Sequence, residues 1–152
     1  MDKRAVALKL VLDRLGTTNI STADDRMEVQ KAVYLTQAAG VSLGYSYGWY
    51  VRGPYSPALT RDYFDLSEEA PQNASLRDAA AERIDRVAGL MDEQIDDLRR
   101  SQRLELLASI HYLLKESKMT EATARRRLSD LKPRLSRYFS QGLQKLRNHA
   151  FI

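Results

Sequence analysis

Apolar residues recur with the period of an α-helix along most of this chain, and that pattern restricts the fold to a mostly helical class. The first such pattern stops at Gly16, a residue type that adopts the left-handed conformation closing many helices. Its apolar positions are spaced i, i+3, i+4 and i+7 and comprise Leu8, Val11, Leu12 and Leu15. The spacing predicts a helix that ends at Gly16.

A second helix is predicted between a polar turn and Gly40. Ser21 or Thr22 is placed to cap its N-terminus, and acidic residues follow in the first turn, where they suit the helix dipole. Its apolar face comprises Val29, Ala32 and Val33.

Residues 45 to 59 depart from the helical period. This segment holds the only tryptophan, four of the eight tyrosines and two of the four prolines. Apolar and polar residues alternate through its first half, which is the period of a β-strand with one inward face. We predict a short aromatic strand or hairpin here. The inward set is Tyr45, Tyr47, Trp49 and Val51, and the outward set includes Tyr50 and Arg52.

Turn-forming residues follow the predicted strand. Gly53 and Pro54 are expected to end it. Ser56 is a suitable N-cap, and Pro57 suits the first position of a helix, where its missing N–H costs nothing. The sequence therefore predicts a helix that starts directly after the turn.

An acidic, proline-containing stretch, residues 67 to 75, is predicted to be a flexible connection. It separates residues 1 to 66 from a purely helical part, residues 76 to 152. The length of 152 residues suits a single domain with both parts. We expect a compact, mostly α domain with a small β element.

A narrow apolar stripe begins the C-terminal part. Its members follow roughly heptad spacing, with Gln94 in the one polar position and Gly89 as a possible break. Two interpretations stay open: the stripe packs inside one chain, or it forms the seam of a homodimer. Its apolar members are Ala80, Ile84, Val87, Met91 and Leu98.

Three further helices are predicted beyond the stripe. The first is apolar over a wide face, Thr120 caps the second, which runs through Leu131, and Pro133 begins the last. The wide face comprises Leu106, Leu107, Ile110, Leu113 and Leu114. The face of the last helix comprises Leu135, Phe139, Leu143 and Leu146.

The absence of cysteine removes disulfides and thiolate chemistry and favours a cytoplasmic location. The N-terminal apolar stretch is interrupted by Lys9, Asp13 and Arg14, which is typical of an amphipathic helix and not of a signal peptide. No uninterrupted apolar run approaches the roughly 18 residues of a membrane span.

No catalytic or metal-binding motif stands out. His111 and His149 are the only histidines, and neither has a partner at metal-ligand spacing. His111 lies on an apolar helical face, which favours packing in the core. The acidic run at residues 91 to 100 has the spacing of a solvated helix face paired with its own arginines. We predict no enzymatic activity, no cofactor and no metal.

Two candidate binding surfaces remain. The first is the aromatic turn, whose large amphipathic side chains resemble the anchors of protein interfaces. The alternative is that its inward aromatic residues are simply core. The predicted partner-binding residues are Trp49, Tyr50, Arg52, Gly53, Pro54, Tyr55 and Ser56.

The second surface is basic. From Lys118 onward the chain carries nine Lys and Arg against two acids, a net charge of +7. These cations can neutralise phosphates, and Tyr138 can stack on a base. The alternative is a solvated face with at least one arginine turned inward or toward an acid such as Asp130. The predicted nucleic-acid contacts are Arg125, Arg126, Arg127, Lys132, Arg134 and Arg137.

Residues 29 to 63 resemble a family of small bacterial and phage proteins around the YwgA and Panacea (SocA-like) group. The shared pattern is a Lys-rich helix ending in a Tyr-Leu or Tyr-Phe pair, an aromatic strand, and then Gly-Pro, Tyr or Val, and Ser before a helix. The matching residues are Gln30, Lys31, Tyr34, Leu35, Trp49, Tyr50, Gly53, Pro54, Tyr55, Ser56, Pro57 and Leu59.

The resemblance covers about a quarter of the chain. It implies a compact, mostly helical domain and, for the Panacea branch, an antitoxin-like role in which unrelated toxins are neutralised by binding. We therefore expect a non-enzymatic, antitoxin-like or regulatory module that binds a partner protein, such as a toxin, through the aromatic turn. The alternative is a nucleic-acid-binding protein that uses the basic C-terminal helices.

Overall fold

The computed structural model describes residues 2–66 and 73–152, and they form a mostly helical domain with one small antiparallel hairpin. The predicted fold class is confirmed. Residues 67–72, which make up most of the predicted connection, lie outside the described part of the chain. The elements are α1 (Lys3–Leu15), α2 (Ala23–Ala38), β1 (Gly48–Tyr50), β2 (Gly53–Tyr55), α3 (Pro57–Phe64), α4 (Asp78–Met91), α5 (Arg100–His111), a π-helical turn (Tyr112–Glu116), α6 (Glu121–Leu131), α7 (Pro133–Ser136) and α8 (Phe139–Asn148).

The first two helices begin and end on the signals that predicted them. Gly16 closes α1 in the left-handed conformation, with φ at 67°. Thr22, not Ser21, caps α2: its hydroxyl accepts from the backbone N–H of Asp25 at 3.0 Å, and the Asp25 carboxylate accepts from the Thr22 N–H at 3.1 Å. This reciprocal capping box satisfies two backbone donors at the helix start.

Helix α2 lies at the centre of the domain. It packs against α1, α3, α4, α5 and β2. The predicted apolar face is fully buried, and so are polar residues on the same helix, among them Gln30, Lys31 and Thr36. Because buried polar groups require hydrogen-bond partners, the interactions of these side chains decide how neighbouring elements are held.

The apolar stripe of α4 belongs to the core of a single chain. Ile84, Val87 and Met91 are buried inside the monomer. The helix ends at Met91, so Leu98 lies beyond it and Gln94 is exposed outside it. Gly89 does not break the helix. The stripe therefore offers no exposed seam, and the homodimer stays a prediction without this support.

The C-terminal helices match the predicted faces, with one correction. Thr120 caps α6 as expected, but Pro133 begins only a four-residue helix, α7, and the predicted last helix restarts as α8. Gly142 brings α8 close to α5: a Cβ at this position would lie 2.8 Å from Cδ1 of Ile110. The predicted face is buried at Leu135, Phe139, Leu143 and Leu146.

None of the helices in the described part of the chain combines the length and apolar character that crossing a membrane requires.

Candidate functional site

The aromatic segment folds into a tight hairpin that lies on α5. Tyr50 pairs with Gly53 and Trp49 with Pro54, so the turn consists of Val51 and Arg52. The prediction that Gly53 and Pro54 end the strand is wrong, because they form its partner strand. Only three residues of the predicted strand are paired.

Gly53 is required at this place in the hairpin. Its φ is +89°, a conformation that side-chain-bearing residues rarely adopt. A Cβ here would also lie 2.5 Å from Oγ of Ser109, on α5. The backbone of β2 can therefore approach α5 only because this residue lacks a side chain.

Gln30 on α2 holds the start of α3 from below. Its side-chain amide donates to the carbonyl oxygen of Ser56 at 2.9 Å, and its side-chain oxygen accepts from the Ser56 N–H at 2.8 Å. The Ser56 hydroxyl accepts from the N–H of Leu59 at 3.4 Å, so the predicted N-cap is confirmed. Ser56 is fully buried and thus unable to contact a partner directly.

Lys31 is the neighbouring anchor and is 1% exposed. Its Nζ donates to the carbonyl oxygen of Pro54 at 2.7 Å. Burial lowers the pKa of Lys31 to about 7. The negative charge of Glu105 opposes this shift, and the positive charges of Lys132 and Arg52 reinforce it. The structure thus holds an amine beneath the hairpin that titrates near neutral pH.

A partly buried ion-pair network lies near this amine. The carboxylate of Glu105, on α5, accepts from Arg52 Nε at 3.2 Å and from Lys132 Nζ at 2.7 Å. Lys132 also donates to the carbonyl oxygen of Val51 at 2.8 Å, and Arg52 donates to Asp24 at 2.9 Å. Arg52 and Lys132 therefore fasten the hairpin turn to α2 and α5.

This network corrects two predicted roles. Lys132 is buried and engaged with Glu105, so it is not available to a nucleic acid. Arg52 does not project freely from the hairpin, because two carboxylates of the same chain bind it. Glu105 escaped the sequence analysis, although an acidic residue between Leu104 and Leu106 in an apolar run is the available signal.

The inward aromatic residues join the hairpin to the helices. The Trp49 ring lies 5.7 Å from that of Tyr112, and the Tyr47 hydroxyl donates to the carbonyl oxygen of Gln30 at 2.9 Å. Beneath them, the Tyr34 hydroxyl lies 2.7 Å from Nδ1 of His111. Burial lowers the pKa of His111 to about 4, so His111 is a neutral core residue, as predicted.

Three large apolar side chains remain exposed beside the hairpin: Tyr50 at 48%, Val51 at 94% and Phe64 at 56%. The prediction that Val51 faces inward is therefore wrong, because the chain turns at this residue. The Tyr50 and Tyr55 rings meet edge to face with centroids 5.1 Å apart. These residues surround an apolar cleft between α2, the hairpin and α3.

The cleft has a volume of about 370 Å³. Met27 and Tyr63 form part of its walls and are themselves buried. Tyr55 is fixed by a 2.6 Å hydrogen bond between its hydroxyl and that of Thr60. Of the predicted partner-binding residues, Tyr50, Arg52 and Tyr55 line this cleft. Gly53 and Pro54 were also predicted to bind the partner, but they are buried and lie outside the lining of the cleft.

The predicted basic surface is only partly preserved. Arg125, Arg126 and Arg127 are all exposed, so none turns inward, but the expectation that at least one turns inward or toward an acid is met by Arg125, which pairs with Glu121. Arg125 lies 3.5 Å from Glu121 and stacks over the Phe139 ring at 4.4 Å. Tyr138 is buried and unable to stack on a base. Of the predicted nucleic-acid contacts, four are exposed and have no ion pair with another described residue: Arg126, Arg127, Arg134 and Arg137.

Among residues 2–66 and 73–152, no three His, Asp or Glu side chains are grouped to hold a metal ion. Comparisons of this chain with protein-family models, curated proteins and solved structures found no match, so the resemblance to the YwgA and Panacea group stays a prediction.

Proposed function

We propose that this chain is a cytoplasmic, non-enzymatic binding module, antitoxin-like or regulatory, that receives part of a partner protein in the cleft beside its hairpin. The observation that carries the proposal is the exposure of Tyr50, Val51 and Phe64 around an apolar cavity of about 370 Å³. Apolar side chains grouped around a concave surface are typical of binding sites.

The rigidity of the surroundings supports this role. Lys31 holds the second strand of the hairpin at Pro54, and Gln30 holds Ser56 at the start of α3. Arg52 ties the turn to two helices. A surface that is ordered before binding loses little conformational entropy when a partner docks. The large aromatic side chains at the rim add contact area with few rotatable bonds.

The test compares substitutions at exposed apolar residues inside and outside the cleft. Val51→Gln and Phe64→Gln remove apolar contact area at the cleft without opening the core. Leu131→Gln is the matched control, because Leu131 is 47% exposed at the end of α6 and does not line the cleft. Partners are captured by crosslinking in the native host, and the Kd of the purified pair is measured by calorimetry.

We expect each cleft substitution to weaken binding by about tenfold or more, which corresponds to at least about 1.4 kcal/mol. Leu131→Gln should bind as the native chain does. The proposal fails if no protein partner is recovered, or if the Val51→Gln, Phe64→Gln double variant retains the native affinity. Arg52 is unsuited to this test because its substitution disturbs the ion pairs beneath the turn.

Nucleic-acid binding is the second candidate function. The observation that favours it is the group of exposed, unpaired arginines at 126, 127, 134 and 137 within the described chain. Neutralising about four phosphates would give a log-log salt slope of magnitude about 4 on duplex DNA. Fluorescence anisotropy at several salt concentrations measures this slope, and absent or salt-insensitive binding to DNA and RNA excludes the candidate.

A further inference from the structure

The charged residues that line the cleft all carry positive charge. Arg26, Lys31 and Arg52 reach it, and no acidic side chain in the described part of the chain lines it. The remaining lining is aromatic, aliphatic or neutral and polar. A cleft with apolar walls and cations at its edge and base is complementary to a ligand that combines apolar groups with negative charge.

Two of these cations lack a carboxylate partner. Arg26 donates through Nη1 to the carbonyl oxygens of Ile20 at 3.0 Å and Ser21 at 3.4 Å. Lys31 donates to the carbonyl oxygen of Pro54. The nearby carboxylates are engaged elsewhere within the described chain, since Asp24 pairs with Arg52 and Glu105 pairs with Arg52 and Lys132.

The local charges therefore do not balance when Lys31 is protonated. Around Glu105 the structure gathers three cations, namely Lys31, Arg52 and Lys132, and Asp24 compensates only Arg52 in part. One further negative charge in the cleft would approach neutrality and would favour the protonated form of Lys31. Such a charge would also compensate the burial that now lowers the pKa of this amine.

Resting on the proposed function, we infer that the cleft binds a partner segment in which an Asp or Glu side chain stands beside large apolar side chains, the acid contacting Arg26 while the buried amine of Lys31 attracts it through its charge. A single carboxylate fits better than a nucleic-acid backbone. Nucleic acids present a phosphate at every nucleotide and require a track of exposed cations, whereas the described lining of the cleft offers a single accessible cation without an ion pair, Arg26.

A random peptide library displayed on phage and selected against the full chain tests this inference. We expect the selected peptides to be enriched in Asp or Glu flanked by aromatic or aliphatic residues. Replacing the selected acid by its amide in a synthetic peptide should weaken binding by about tenfold, the usual loss for a charge-assisted hydrogen bond. This peptide change leaves the protein intact and gives a result even where a protein variant unfolds.

Protein variants locate the effect. Arg26→Gln should remove much of the preference for the acid over its amide. Arg61→Gln is the matched control, since Arg61 is exposed on the neighbouring helix α3 and does not line the cleft. It should retain the full preference.

The outcomes separate the two proposals. Selected apolar peptides that bind equally well as acid and amide overturn this inference and leave the proposed function standing. If no peptide is selected whose binding Val51→Gln weakens, both proposals are overturned. The inference is also overturned if the cleft binds single-stranded RNA in place of peptides. The same holds if light scattering shows a dimer that Val51→Gln dissociates, because a second copy of the chain then occupies the cleft.

Discussion

Replacing Lys31 with methionine tests the electrostatics beneath the hairpin. The Nζ atom is buried, and burial lowers the pKa of Lys31 to about 7. An unfolded lysine has a pKa of about 10.4, so the folded chain loses this proton roughly three pH units earlier. One pKa unit corresponds to about 1.36 kcal/mol, so the protonated amine costs the folded state roughly 4 kcal/mol.

The sign of the pH dependence follows from proton binding. Between about pH 7 and pH 10.4 the unfolded chain holds a proton on Lys31 that the folded chain has released. The free energy of unfolding therefore rises with pH across this window. Below pH 7 both states hold the proton, and the whole cost of burying the charge is present. Lys31→Met should lack this contribution at every pH.

Methionine also removes a favourable contact. The carbonyl oxygen of Pro54 loses its donor, and a buried unsatisfied group costs about 1–3 kcal/mol. At pH 6 the relieved charge burial outweighs this loss, so Lys31→Met should be more stable than the native chain by roughly 1–3 kcal/mol. At pH 10 it should be less stable by about 1–3 kcal/mol.

Urea unfolding followed by circular dichroism from pH 6 to pH 10 measures these free energies. Lys3→Met is the matched control, because Lys3 is an exposed lysine in α1, and its curve should run parallel to that of the native chain. The reasoning is refuted if Lys31→Met is also parallel to the native chain, or if it is the less stable protein at pH 6.

Three further predictions concern the same region. Gly53→Ala should lower the free energy of unfolding in urea more than Gly44→Ala does, because both glycines have positive φ but only a Cβ at Gly53 would clash with a neighbour. The clash adds about 1–3 kcal/mol and should vanish in a Ser109→Ala background. Equal losses of stability in the two variants would contradict the close approach. The lowered pKa of His111 contributes roughly 3 kcal/mol to the free energy of unfolding, which is present above about pH 6.5 and lost toward pH 4. His111→Gln should therefore remove this pH dependence of the urea midpoint. A midpoint that depends on pH in the variant as it does in the native chain would contradict a neutral, buried imidazole. The affinity of an acidic cleft peptide should fall from pH 6 to pH 8 in the native chain but not in Lys31→Met, as measured by calorimetry, because the protonated amine attracts the acid and the neutral amine does not.

Local signals in the sequence predicted the helix boundaries well. Gly16, Thr22, Ser56 and Thr120 act within one turn of their own position, through caps whose partners are three residues away or through a left-handed backbone. Such signals depend on neighbouring residues alone, so they can be interpreted without knowing the fold.

The strand prediction failed where contacts across the chain decided the structure. Alternation indicated an extended chain but not the point at which it turns. That point depends on Gly53 fitting against Ser109 and on Lys132 holding the carbonyl of Val51, both distant in sequence. Val51 therefore became the most exposed large apolar residue of the described chain, although its place in the alternation indicated an inward side chain.

Charge and periodicity could not identify interaction partners. The α4 stripe has the spacing of a dimer seam, yet its apolar side chains pack inside the same chain. Lys132 belongs to a segment rich in basic residues, which predicted a contact with nucleic acid, but Glu105 on another helix neutralises the charge of Lys132. In both cases the residue type was correctly interpreted, but only the packing of distant helices determined what that residue contacts.

The placement of Lys31 argues for a role beyond holding the hairpin. Gln30 satisfies both backbone groups of Ser56 without any charge, so a neutral donor would serve equally well at Pro54. The chain instead buries a lysine whose charge opposes folding at neutral pH, beside Arg52 and at the wall of the exposed cleft. Strongly perturbed groups that cost stability are concentrated at functional sites. An acid in the cleft would relieve that cost on binding, and this links a buried charge that opposes folding to the exposed apolar side chains beside it.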